Sequence, residues 1–218
     1  MRSPKKPVLF RNGPPRSHYK GLLRTMSAAE TDVRRGKPLK DAGPIASIKV
    51  SNESHARRVG AAMAHLAREG RSVPVTAGSA KALATAMKAV AIARKFLRED
   101  EGDLGFSAVV ERGEERSVTV LTIVPVAVEV ENEVENPYTV SKSTDPSSLS
   151  GALAARLREG KTVLARCVGV APAARAATAV ALATGHMETG TVLAFPFFST
   201  EGEGDDRITV LNLCVKAV

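Results

Sequence analysis

Lys81, Lys88 and Lys95 recur at an interval of seven residues, with Arg94 and Arg98 beside them. On a helix that interval keeps all three lysines within one narrow stripe, drifting about 20° per step. Cations in a line are what a phosphate backbone needs; the plainer reading of such a stripe is a solvated outer face. A second cluster, His55, Arg57 and Arg58 with Lys49 close by, stands where a strand pattern passes into a helix pattern. Helix N-terminal N–H groups favour anions there, although Glu53 in the same turn opposes it. A third set is the N-terminal arm. Arg2, Lys5, Lys6, Arg11, Arg16, Lys20, Arg24, Arg34, Arg35, Lys37 and Lys40 face only Glu30, Asp32 and Asp41 within residues 1–45. That arm carries the whole formal charge of +8, and the rest of the chain balances. Basic arms of this kind tether proteins to nucleic acid or to acidic surfaces.

Patterns for catalysis are missing. His18, His55, His65 and His186 do not pair at metal-ligand spacing. Gly202 and Gly204 lie among acids, and no phosphate-cradling glycine motif occurs. Ser147, Ser148 and Ser150 imply no His or Asp partner. A non-enzyme with no cofactor and no metal is expected. With 4% aromatic residues and no Trp, base stacking would be a minor mode, so contact is expected with the backbone and without sequence reading. Cys167 and Cys214 sit in apolar runs and read as small core residues, which suits a reducing compartment. No apolar run approaches the roughly 20 residues of a membrane span. The N-terminus lacks the apolar core of a secretory signal. It is Arg-rich and free of acid before Glu30, as mitochondrial presequences are, but Pro4, Pro7, Pro14 and Pro15 oppose an amphipathic helix. A cytoplasmic or nuclear location is expected, with mitochondrial import as the alternative.

The elements that must carry these residues are written twice. Lys49–Leu97 and Thr139–Met187 align without a gap, ninety positions apart, so that Glu69-Gly70 falls on Glu159-Gly160 and Ala89–Ala93 on Ala179–Ala183. VTVLTIV (Val118–Val124) matches ITVLNLC (Ile208–Cys214), with one residue fewer in the preceding turn. A unit of about 85 residues can bury its own core. The expected organisation is a basic extended arm (1–45), a first domain (46–128), an acidic linker (129–137) and a degenerate second domain (138–218). Within each domain the pattern runs strand, helix, strand, helix, strand, strand. Val59, Met63 and Leu66 mark the inner face of the first helix. Leu83, Ala86, Met87, Val90, Ala93 and Leu97 mark that of the second, which Ser79 caps. The last two strands form a hairpin about Arg112–Glu115. The linker alternates Val and Glu, which suits either a prolonged strand or a solvated tether.

The first copy resembles stage V sporulation protein S, a bacterial family of the Alba-like superfamily. The residues that carry the likeness are KVS (Lys49–Ser51), Val59 with Ala62-Met63-Ala64, KAVAIAR (Lys88–Arg94) and GEER (Gly113–Arg116). The second copy keeps VS, AVALA and GDDR (Gly204–Arg207) on the same apolar skeleton. The resemblance implies two α/β (α+β) domains of β-α-β-α-β-β order, each with two helices on one face of a four-stranded mixed sheet. It further implies pairing of the domains, here as a pseudo-symmetric dimer within one chain. It also implies DNA or RNA binding through a basic strand-to-helix loop, the adjoining sheet surface and a hairpin arm.

The two copies sharpen the expectation. Lys49, Arg57, Arg58, Lys88, Arg94 and Lys95 become Thr139, Ser147, Ser148, Thr178, Thr184 and Gly185, and the second hairpin tip carries Glu201, Glu203, Asp205 and Asp206, which repel phosphate. Nucleic acid, RNA or DNA, is therefore expected on those six residues of the first copy and on the arm. The alternative is a structural subunit of a large ribonucleoprotein, cytoskeletal or axonemal assembly, anchored to an acidic protein partner by the arm. No membrane partner is expected.

Overall fold

The computed structural model describes residues 47–98, 102–112, 117–126, 134, 136–187 and 190–218. The expected extended arm, the GEER turn and the prolonged strand through 127–133 lie outside the described residues. The first half comprises β1 (Ile48–Val50), α1 (Ala56–Arg68), β2 (Val73–Ala77), α2 (Ala80–Leu97), β3 (Asp103–Arg112) and β4 (Ser117–Val126). The second comprises β5 (Tyr138–Val140), α3 (Pro146–Arg158), β6 (Val163–Cys167), α4 (Val170–Gly185), β7 (Val192–Glu201) and β8 (Ile208–Ala217). This is the expected α/β fold in two repeat-like halves.

Local chemistry sets the boundaries. Gly70 and Gly160 take φ of +69° and +72° just past α1 and α3, a conformation that ends a helix and suits glycine best. Ser79 accepts from the Ala82 N–H at the start of α2. Asp145 does the same for α3 from Ser148, whose backbone and side-chain hydrogen bonds hold the carboxyl below its ordinary pKa. Every inner-face position read from the sequence on α1 and α2 is buried.

The eight strands form one mixed sheet in the order β1-β2-β4-β3-β7-β8-β6-β5. Each half is a four-stranded block with one parallel pair at its outer edge, β1 with β2 and β5 with β6. The blocks meet where β3 runs antiparallel to β7, pairing Phe106 with Ala194. Above that seam α2 packs on α4, and each central helix also touches the other half's strand. Alternate strand residues, such as Leu104, Phe106, Ala108, Leu211, Leu213 and Val215, join the helices in a core that spans both halves. A smaller cluster on the helix-free face joins Leu164, Leu193, Phe195 and Cys214, with Val134 of the connector packed on it.

The sheet register corrects the repeat alignment at its end. Val75 pairs with Leu121, but its counterpart Ala165 pairs with Leu213, ninety-two positions beyond Leu121. Likewise Ala108 pairs with Leu121 and Pro196 with Leu213, so β3 and β7 correspond at a shift of eighty-eight. The β7–β8 turn, with its 3-10 helix Gly204–Asp206, takes up the difference. A two-residue slip keeps every side chain on its own face, which is why the apolar pattern alone tolerates either alignment.

Both cysteines are buried and unbonded. Burial pushes the Cys167 thiol up to about 12 and the Cys214 thiol in the same direction. Only the thiolate attacks, so an aromatic disulfide reagent at mildly alkaline pH should label neither cysteine in the folded chain and both after denaturation. Native labelling at the rate of free cysteine would contradict this packing.

Candidate nucleic-acid interface

The β1–α1 and β2–α2 turns lie side by side at the end of the parallel pair. Ser79, the cap of α2, donates its hydroxyl hydrogen to Asn52 Oδ1 in the first turn. Ser54 Oγ in turn accepts from the Ser51 N–H at 2.9 Å. These bonds fix the starts of α1 and α2 next to each other. The helices then run in close contact, because a Cβ on Gly60 would stand 2.7 Å from the Ala89 carbonyl oxygen. Only glycine permits that approach. His55, Arg57, Arg58 and Lys81 are exposed at this end, Lys95 is exposed farther along α2, and Lys88 is half-buried between them. At 1.5 Å per residue the lysines stand about 10 Å apart, roughly three base steps of a nucleic-acid strand.

The structure brings some expected site residues together and separates others. Arg57, Arg58, Lys88 and Lys95 belong to the helical layer. Lys49 does not: Ile48 and Val50 on either side of it are buried in the core beneath the helices, so Lys49 is presented on the opposite face of the sheet. Arg94 is a correction. It is 1% exposed and belongs to the interior. Its Nε and Nη2 donate to Asp103 Oδ1 and Oδ2 at 2.6 and 2.8 Å, and Nη1 donates to the Pro196 carbonyl of the other half at 2.9 Å. Its guanidinium also stacks over the Phe195 ring, 5.4 Å from the centroid. These bonds engage three of its five N–H donors, and burial inside the fold keeps the guanidinium out of reach of a phosphate. Lys5, Lys6, Arg11, Arg16, Lys20, Arg24, Arg34 and Arg35 lie outside the described residues.

Comparison of the two halves sorts the remaining cations. Arg68 and its counterpart Arg158 each donate to a carbonyl at the end of the neighbouring helix, Phe96 and His186. Arg71 and its counterpart Lys161 each pair with the glutamate two positions back. These two partnered cations recur in both copies. Arg57, Arg58, Lys81, Lys88 and Lys95 hold no ion pair among the described residues, and all five are replaced by Ser147, Ser148, Ala171, Thr178 and Gly185. Lys81 belongs with the other four although the reading of six positions omitted it; the seven-residue interval was its signal. The second half adds the opposite charge: Glu203, Asp205 and Asp206 are exposed at the β7–β8 turn, and Glu201 there pairs with Arg166.

Among the described residues no group of three His, Cys, Asp or Glu side chains could hold a metal ion, and no helix is long and apolar enough to cross a membrane. Compared with known families, the chain matches stage V sporulation protein S twice, over residues 46–126 and 137–218. A search of curated proteins finds no match. The two matches together cover most of the chain, and it belongs to that family.

Proposed function

We propose that this tandem member of the stage V sporulation protein S family is a non-catalytic nucleic-acid-binding protein. It holds a phosphate backbone, of RNA or DNA, on the outer face of α1 and α2, with the basic arm supplying further charge. The observation that carries the reading is the set Arg57, Arg58, Lys81, Lys88 and Lys95. These cations have no structural partner among the described residues and occur in one half only. Charges placed for solubility alone would serve equally in either half. The helix starts beneath Arg57 and Lys81 add their partial positive charge.

The test exploits the internal control. Lys88→Glu with Lys95→Glu should weaken binding to a single-stranded or duplex oligonucleotide about ten-fold or more at low salt. Thr178→Glu with Gly185→Glu in the second half should change it less than about two-fold, since each phosphate contact is worth of order 1 kcal/mol and is strongly salt-dependent. Equal losses in the two variants, or none in either, would overturn the assignment.

A protein partner is the second reading, and one observation favours it. Val168 and Val170 are 52% and 41% exposed beside the start of α4, where the first half has Gly78 and Ala80. If that apolar surface docks a protein assembly, Val168→Ser with Val170→Ser would release the partner while nucleic-acid binding stays unchanged.

A further inference from the structure

The seam between β3 and β7 is close to a local two-fold axis, yet the residues on it are not alike. With β3 and β7 corresponding at a shift of eighty-eight, Phe106 and Ala194 occupy equivalent positions, and they are also the pair that face each other across the seam. Both are fully buried in the core beneath the helices. One ring and one methyl group therefore fill a space that symmetry would give to two equal side chains. The other face of the seam is complementary in the same sense. Phe195 stands over Gly105, where an added Cβ would lie 2.8 Å from the ring's Cε1 and 3.0 Å from Cζ. That ring is only 2% exposed and is packed among Leu164, Leu193 and Cys214, so it has little room to withdraw. The counterparts of Gly105 and Ser107 are Leu193 and Phe195.

We propose that this seam is a heterotypic interaction surface, in which a first half accepts a second half and neither accepts its own kind. Two first halves would set Phe106 against Phe106 on the helix side and leave the glycine unfilled on the other. Two second halves would set Ala194 against Ala194 above a void and crowd Leu193 against Phe195 twice. They would also lack the donor for Pro196. That carbonyl takes its hydrogen bond from Arg94, and the second copy has Thr184 in that place. Close-packed interiors penalise both overfilling and voids. A duplicated chain whose halves paired like with like would link molecule to molecule without closing; the mismatch acts against that alternative.

The test uses the full chain and exchanges the seam triplets. Gly105→Leu, Phe106→Ala and Ser107→Phe give the first half the second half's triplet. Leu193→Gly, Ala194→Phe and Phe195→Ser do the reverse. The third variant carries all six changes and is complementary again, with the ring supplied from the other side. Since the chain has no Trp, urea unfolding is followed by circular dichroism. Each three-residue variant should lower the midpoint, and the six-residue variant should be more stable than additivity predicts: its rise in unfolding constant over the parent should be smaller than the product of the two three-residue rises by about ten-fold or more, as coupled neighbours allow. Two unperturbed three-residue variants, or an exchange with no recovery beyond additivity, would overturn the proposal.

Discussion

Arg94→Ala is expected to destabilise the folded chain by about 3–5 kcal/mol, because it removes a bidentate cation from a buried carboxylate. The Asp103 side chain is 0% exposed and the Arg94 side chain 2%. Asp103 also accepts from the Leu104 N–H at 2.8 Å, a bond that carries no formal charge. The loss would be a large share of the roughly 5–15 kcal/mol that holds a domain folded. It extends beyond the first half, since the same guanidinium bonds Pro196 and stacks on Phe195 across the seam. Arg94→Met combined with Asp103→Leu removes both charges and keeps the volume, so its cost should be far smaller than that of either single change. Urea unfolding of the three variants decides the matter. A loss below about 1 kcal/mol for Arg94→Ala, the range of exposed pairs, would show that the ion pair is not structural. The result also bears on binding experiments, because an Arg94→Glu variant would lose nucleic acid by unfolding.

Deleting residues 1–44 should produce the other large effect, a loss of salt dependence in nucleic-acid binding. Those residues hold eleven basic side chains against three acidic ones, while the remainder of the chain balances. On duplex DNA each neutralised phosphate contributes about −0.9 to the slope of log K against log salt. An arm engaging six or more phosphates would account for roughly 10³-fold or more between low and physiological salt. The shortened chain should retain only the part of the slope due to the five cations on α1 and α2, at most about −4.5 on duplex DNA. Affinity measured at several salt concentrations for both forms separates the cases. An unchanged slope after deletion would place the binding surface wholly on the folded halves and remove the arm from the reading.

The amino-acid sequence by itself determined the repeat, the order of elements and the inner face of each helix. Those follow from local periods: three and four residues along α2, two along the strands. Val59, Met63, Leu83, Met87 and Val90 show their burial within one or two turns of chain. The sequence also showed that the first half is the more basic, because that comparison needs only an alignment. It did not separate the exposed cations of α1 and α2 from Arg94, which is built into the interior. Arg94 stands at helical spacing from Val90 and Leu97, both on the inner face, and Asp103 follows nine residues later; that spacing was the only local sign. The Pro196 carbonyl that completes its environment lies 102 residues away, beyond any local period. The tertiary structure alone also decided the two-residue slip of the last hairpin, since both registers keep the apolar residues inward. It set Lys49 on the face opposite Arg57, because a strand alternates where a helix does not. And it placed Phe106 against Ala194 and Phe195 over Gly105. Complementarity of size is a property of two surfaces, and neither strand carries it until the other is in place.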